Sequence, residues 1–122
     1  MAINVEQTLG FNLHISAFVL KQALKTTLKK AEADLTIEEF VLFMLVSDGG
    51  IEQADLQTTL YKDKTNITHL LDRLVEKDLV IRQMSHVSRR QQVIALTKKG
   101  KAKQQELIPL LQAFSQQAAQ GI

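Results

Sequence analysis

The hydrophobic pattern predicts a mainly α protein with one small β-hairpin, and three observations carry that expectation. Apolar residues recur at three- and four-residue steps over a long N-terminal stretch and again near the C-terminus. Between these, three shorter helical patterns follow one another from Leu35 to Lys77. Two β-like runs, Val80-Ile81-Arg82-Gln83-Met84 and Gln92-Val93-Ile94-Ala95-Leu96, then flank a loop that holds Arg89-Arg90. Helix, helix, helix and basic hairpin is the order of a winged helix-turn-helix, with the hairpin as its wing.

The first helix is expected from about Val5 to Ala31. Leu9, Leu13, Ala17, Leu20, Leu24, Leu28 and Ala31 form one stripe on the helical period, and Phe11 and Phe18 widen it. That is more apolar surface than a small domain behind it can cover. Either the helix crosses a second subunit or its pattern breaks near Gly10. The second helix has Thr36 as an N-cap candidate with Glu39 three residues on, the spacing of a capping box. It buries Phe40, Val41, Phe43, Met44 and Leu45 and ends at Asp48-Gly49-Gly50. Ile51 then begins a short strand that pairs with the hairpin.

A third helix is expected over Gln53 to Leu60, with Ala54, Leu56 and Leu60 inward, and Tyr61-Lys62-Asp63-Lys64 as the turn after it. Thr65 caps the fourth helix, which runs to Lys77 with Ile67, Leu70, Leu71, Leu74 and Val75 inward. Its opposite face shows Asn66, Thr68, His69, Asp72, Arg73 and Glu76. Asp78 stands where a left-handed residue, often glycine, closes a helix. Thr97 caps a last helix that begins Lys98-Lys99-Gly100 and continues through Leu107, Ile108, Leu110, Leu111 and Phe114. Pro109 removes one backbone donor and bends or breaks it, and the glutamine-rich tail after Ser115 frays.

Length and composition bound the class. With 122 residues, 45% of them hydrophobic and 23% charged, the chain is one globular domain with a real core. No apolar run approaches the roughly 18 residues a bilayer span needs, so no membrane association is expected, and the N-terminus shows no secretory signal. The absence of cysteine removes disulfides, thiolate metal sites and thiol redox sensing. The net charge of +2 conceals an asymmetry. Tyr61 to Lys103 holds eleven Lys or Arg against four Asp or Glu, a net +7, and the remainder nets −5. The basic half is where groove-reading elements would lie, which points to a polyanion partner, although a lysine-rich solvated surface has the same signature.

The ordered set Leu35-Thr36, Asn66-Ile67-Thr68, Leu71-Asp72-Arg73-Leu74-Val75-Glu76-Lys77-Asp78-Leu79-Val80, Arg89-Arg90 and Leu96-Thr97-Lys98-Lys99-Gly100 resembles MarR-type transcription regulators over nearly the whole chain. The resemblance implies a single domain over 1–122, with a winged-helix core at 35–97 and dimerisation helices at 5–31 and 98–119. It implies a cytoplasmic homodimer that binds a pseudo-palindromic operator in double-stranded DNA, usually as a repressor. It further implies a small aromatic or phenolic anion as effector, bound between the dimerisation and DNA-binding regions. Two departures stand out. The family's wing usually reads Asp-x-Arg, and here Ser88 precedes Arg89-Arg90, so the wing loop has no carboxylate. The chain also ends earlier than family members commonly do.

The expected DNA-binding residues are Lys62, Lys64, Thr65, Asn66, Thr68, His69, Arg73, Arg89 and Arg90. Thr65, Asn66, Thr68 and His69 occupy the first turns of the recognition helix, nearest base edges. Asn pairs with adenine in a bidentate manner, and Thr donates, accepts or touches a thymine methyl. Thr65 also reads as a plain cap and Asn66 as a solvated side chain, and His69 either reads guanine or is merely exposed. Arg73 suits a phosphate or a contact with the wing, or an intrahelical pair with Glu76. Arg89 and Arg90 suit phosphates or the minor groove, against a solvated hairpin tip. Lys62 and Lys64 suit phosphates beside the helix entry. His14 reads as a structural or pocket-lining residue. His14, His69 and His86 have no metal-ligand spacing, and no catalytic set of residues is recognisable, so neither enzyme activity nor a resident cofactor or metal is expected. The rival expectation is a winged-helix module that binds protein and not DNA.

Overall fold

The structure, a computed structural model, describes residues 5–87 and 91–121. Its elements in chain order are α1 (Val5–Lys30), α2 (Ile37–Leu45), β1 (Ile51–Glu52), α3 (Gln53–Leu60), α4 (Lys64–Glu76), β2 (Val80–Met84), β3 (Gln92–Leu96) and α5 (Lys98–Gly121). They group into two compact units. One spans Glu38–Pro109; the other contains the described residues up to Ile37 and those from Leu110 onward.

The first of these units is a winged helix. Its core is built from Phe40, Leu42, Phe43 and Val46 around α2, Leu56 of α3, and Ile67, Leu70, Leu71 and Leu74 of α4. Leu79, Val80, Ile94, Leu96 and Leu107 complete it. Truncating one such leucine to alanine costs about 2–5 kcal/mol, so this cluster sets the unit's stability. The three strands pair antiparallel in the order β1-β3-β2. Ile94 is the hinge of the register, opposite Ile51 on one side and Arg82 on the other. The short strand expected at Ile51 is therefore present, and it anchors the start of α3 to the wing.

Two helix ends here share one device. After α4, the amides of Asp78 and Leu79 donate to the carbonyls of Val75 and Leu74, with Asp78 left-handed at φ 61°. After α3, Tyr61 and Lys62 donate to Thr58 and Gln57, with Tyr61 at φ 52°. Both are Schellman closures, in which the left-handed position normally suits glycine. Polar staples reinforce the unit. The Lys77 ammonium meets the buried Glu39 carboxylate at 2.9 Å, which ties the end of α4 to α2. Gln104 Nε2 donates to the carbonyls of Phe43 and Val46, satisfying the C-terminal end of α2 from α5. Thr97 Oγ1 accepts from the Gly100 amide and donates to the Asp78 carbonyl, so the expected α5 cap also locks α5 onto the α4–β2 turn. Gly100 is obligatory for a different reason: a Cβ there would overlap the Leu79 carbonyl oxygen.

In the other unit, α1 is unbroken through Gly10. It ends in the same closure, with Glu32 at φ 53° and the Ala33 amide on the Leu28 carbonyl. Leu28 and Ala33 are buried, yet Leu9, Phe11, Leu13, Ile15, Phe18 and Val19 are all exposed. Some details differ from the sequence expectation. Val41, Ala54 and Val75 are exposed, because the narrow cores behind α2, the short α3 and α4 reach only the central stripe of each helix. Helix α5 passes through Pro109 without ending, so the lost backbone donor does not break it. The helix also continues through the glutamine tail to Gly121.

Candidate nucleic-acid interface

Helix α4 starts two residues earlier than a Thr65 cap would have it, because its N-cap is Asp63 and not Thr65. Asp63 is extended, and its Oδ1 accepts from the Asn66 amide at 2.8 Å. The carboxylate satisfies an orphan donor and opposes the positive end of the helix dipole. Thr65 is thereby freed from capping and lies exposed in the first turn.

The structure brings Thr65, Asn66, His69 and Arg73 together on the exposed face of α4, with the exposed Lys64 at its start on the side of Thr68 and Asp72. Asn66, His69 and Arg73 follow at three- and four-residue spacing and form one stripe. Arg73 forms no ion pair with Glu76, whereas Lys77 pairs with Glu39 and Arg82 with Asp72. Lys62 is half-buried in the α3–α4 turn. Arg89 and Arg90 lie outside the described residues.

Thr68 differs from its neighbours. It is half-buried, and its hydroxyl accepts from Gln53 Nε2 at 3.2 Å. Its carbonyl accepts from the Arg82 guanidinium at 3.2 Å, and the same Arg82 nitrogen reaches Asp72 Oδ1 at 2.7 Å. Gln53, Thr68, Arg82 and Asp72 thus form a polar bracket joining α3, α4 and β2. Beside it opens a groove of about 600 Å³, lined by Lys64, Gln57, Gln91 and Gln92 together with the bracket. The bracket went unread in the sequence, although one signal was present. Strand alternation puts Arg82 on the same face as the buried Val80, toward α4.

A helix with a polar, cationic outer face, preceded by a short helix and followed by a hairpin, defines the class: a winged helix-turn-helix protein. Residues 35–91, most of the winged-helix core, match the model of the MarR family. The fold agrees over the length of known structures. A MarR mutant from E. coli complexed with operator DNA is 25% identical, with a TM-score of 0.82, covering 94% of this chain and 82% of that one. CouR from Rhodococcus jostii RHA1, bound to p-coumaroyl-CoA, is 23% identical with a TM-score of 0.85, covering 99% and 85%. BpsR from Bordetella bronchiseptica, whose DNA binding is regulated by 6-hydroxynicotinic acid, is 20% identical with a TM-score of 0.83, covering 100% and 86%. None of the curated proteins matches this chain in sequence. Among the described residues no helix is long and apolar enough to cross a membrane, and no three His, Cys, Asp or Glu side chains group as a metal site requires.

Proposed function

We propose that this chain is a transcription regulator that binds a pseudo-palindromic operator as a homodimer, acts as a repressor and has no catalytic activity. The observation that carries the reading is the outer face of α4. Lys64, Thr65, Asn66, His69 and Arg73 are exposed, and no hydrogen bond or ion pair among the described residues engages their side chains. Such a face is ready for base edges and phosphates. The surplus of positive charge between Tyr61 and Lys103 supports the same partner, as does the operator complex of the E. coli relative.

In this reading α4 enters the major groove. Asn66 and Thr65 meet base edges, with His69 and Arg73 further along the helix. Lys62, Lys64, Arg89 and Arg90 neutralise phosphates, the last two from the wing. Thr68 holds the helix in place more than it reads sequence, since its hydroxyl is already engaged. A small aromatic acid or its thioester is the effector class, by analogy with the ligands of CouR and BpsR. The cytoplasm, where the chromosome is accessible, is the compartment.

The test is a selection of genomic fragments followed by titration of the bound operator and of a scrambled duplex. Asn66→Ala should cost about 1–3 kcal/mol on the operator and little on the scrambled duplex. Failure of the wild-type chain to bind any duplex at low salt would overturn the reading in favour of a protein-binding winged helix.

A further inference from the structure

We propose that Tyr61 is a contact to the DNA backbone, with its phenol hydroxyl donating to a phosphate oxygen beside the entry to α4. The proposal rests on the DNA-binding reading above and extends it to a residue outside the helix. Tyr61 is 97% exposed, so its ring contributes nothing to the protein's own core. Its backbone is left-handed at φ 52°, a conformation that a side chain makes less favourable and that glycine would adopt freely. Among the described non-glycine residues with positive φ, the other three are acidic; Tyr61 alone is aromatic. The closure of α3 therefore gains nothing from this side chain.

Its surroundings specify the partner. Tyr61 lies in the turn that leads into α4, next to Lys62 and three residues before Lys64. The nearest acid in sequence, Asp63, is engaged by the Asn66 amide. A neutral hydroxyl among cationic groups suits a phosphate oxygen, and tyrosine is among the side chains that make such positioning contacts without reading sequence.

The test uses the full chain with Tyr61→Gly and Tyr61→Phe, titrated against the selected operator and a random duplex. Tyr61→Gly should raise the melting temperature, because the left-handed strain is relieved. It should nevertheless weaken both duplexes by about tenfold, the loss of one hydrogen bond to a charged acceptor. The salt slope should stay unchanged, since a neutral side chain releases no counterion. Tyr61→Phe should lose as much affinity as Tyr61→Gly. A residue with only a structural role would move stability and binding in the same direction. If the wild type binds and Tyr61→Gly binds equally well, this proposal falls and the DNA reading stands. If Tyr61→Phe matches the wild type, the hydroxyl contact is overturned. If the wild type binds no duplex, both fall together.

Discussion

Single residues in this chain are held by backbone demands as much as by side-chain contacts. Glu32 and Asp78 close α1 and α4 in the left-handed region, where a Cβ is a liability. Replacing either with glycine should stabilise the fold by about 0.5–1 kcal/mol, measurable by thermal or urea unfolding. Gly100 gives the opposite result. Its missing Cβ lets the first turn of α5 lie against the Leu79 carbonyl. Gly100→Ala should destabilise by about 3 kcal/mol through overpacking, and a neutral effect would mean that α5 can shift away. Asp78 was legible in the sequence because a helix pattern stopped just before it. Asp63 was not, because Thr65 lies in the same turn and is an equally good capping type; only the Asn66 amide geometry chooses between them.

At the scale of elements, the hydrophobic period located every helix and strand. It did not reveal the polar links that fix how elements meet. Strands β2 and β3 match the apolar runs residue for residue, since a period of two with flanking turn residues leaves little freedom. The Arg82–Thr68–Gln53 bracket depends on residues up to 29 positions apart, which no local period reports. Its consequence is a distinction between two neighbours on α4. Thr68→Val should weaken operator and random DNA alike and lower stability by about 1 kcal/mol, because Gln53 loses its acceptor. Asn66→Ala should leave stability unchanged and reduce discrimination. Equal effects of the two variants on specificity would show that the bracket opens on DNA. The Lys77–Glu39 link is the stronger brace. Glu39 is 2% exposed, so Lys77→Met would leave a buried carboxylate without its cation. With Lys77 itself partly exposed, the cost should be about 2 kcal/mol, less than for a fully buried pair. Denaturant unfolding of the single variant checks it.

For the molecule as a whole, the decisive quantity is the apolar surface of α1. The sequence posed two alternatives, a break near Gly10 or coverage by another chain. The helix runs unbroken, so Leu9, Phe11, Leu13, Ile15, Phe18 and Val19 remain exposed along it. Patches of that size on a protomer mark interfaces. On the proposed reading the partner is a second copy of this chain, because a two-fold operator would need two recognition helices held one helical turn of DNA apart. Phe11→Glu with Phe18→Glu places two charges one heptad apart on this surface. Both positions are more than half exposed in the protomer, so the folded chain should keep its helical circular dichroism. Sedimentation should then show a dimer for the wild type at micromolar concentration and a monomer for the double variant. Operator affinity should fall by at least about a hundredfold, since each half-site would then be bound without the effective concentration supplied by the other. Affinity for a single half-site should be nearly unchanged, because α4 and the wing are untouched. A wild-type monomer, or a double variant that still dimerises, would contradict this use of α1.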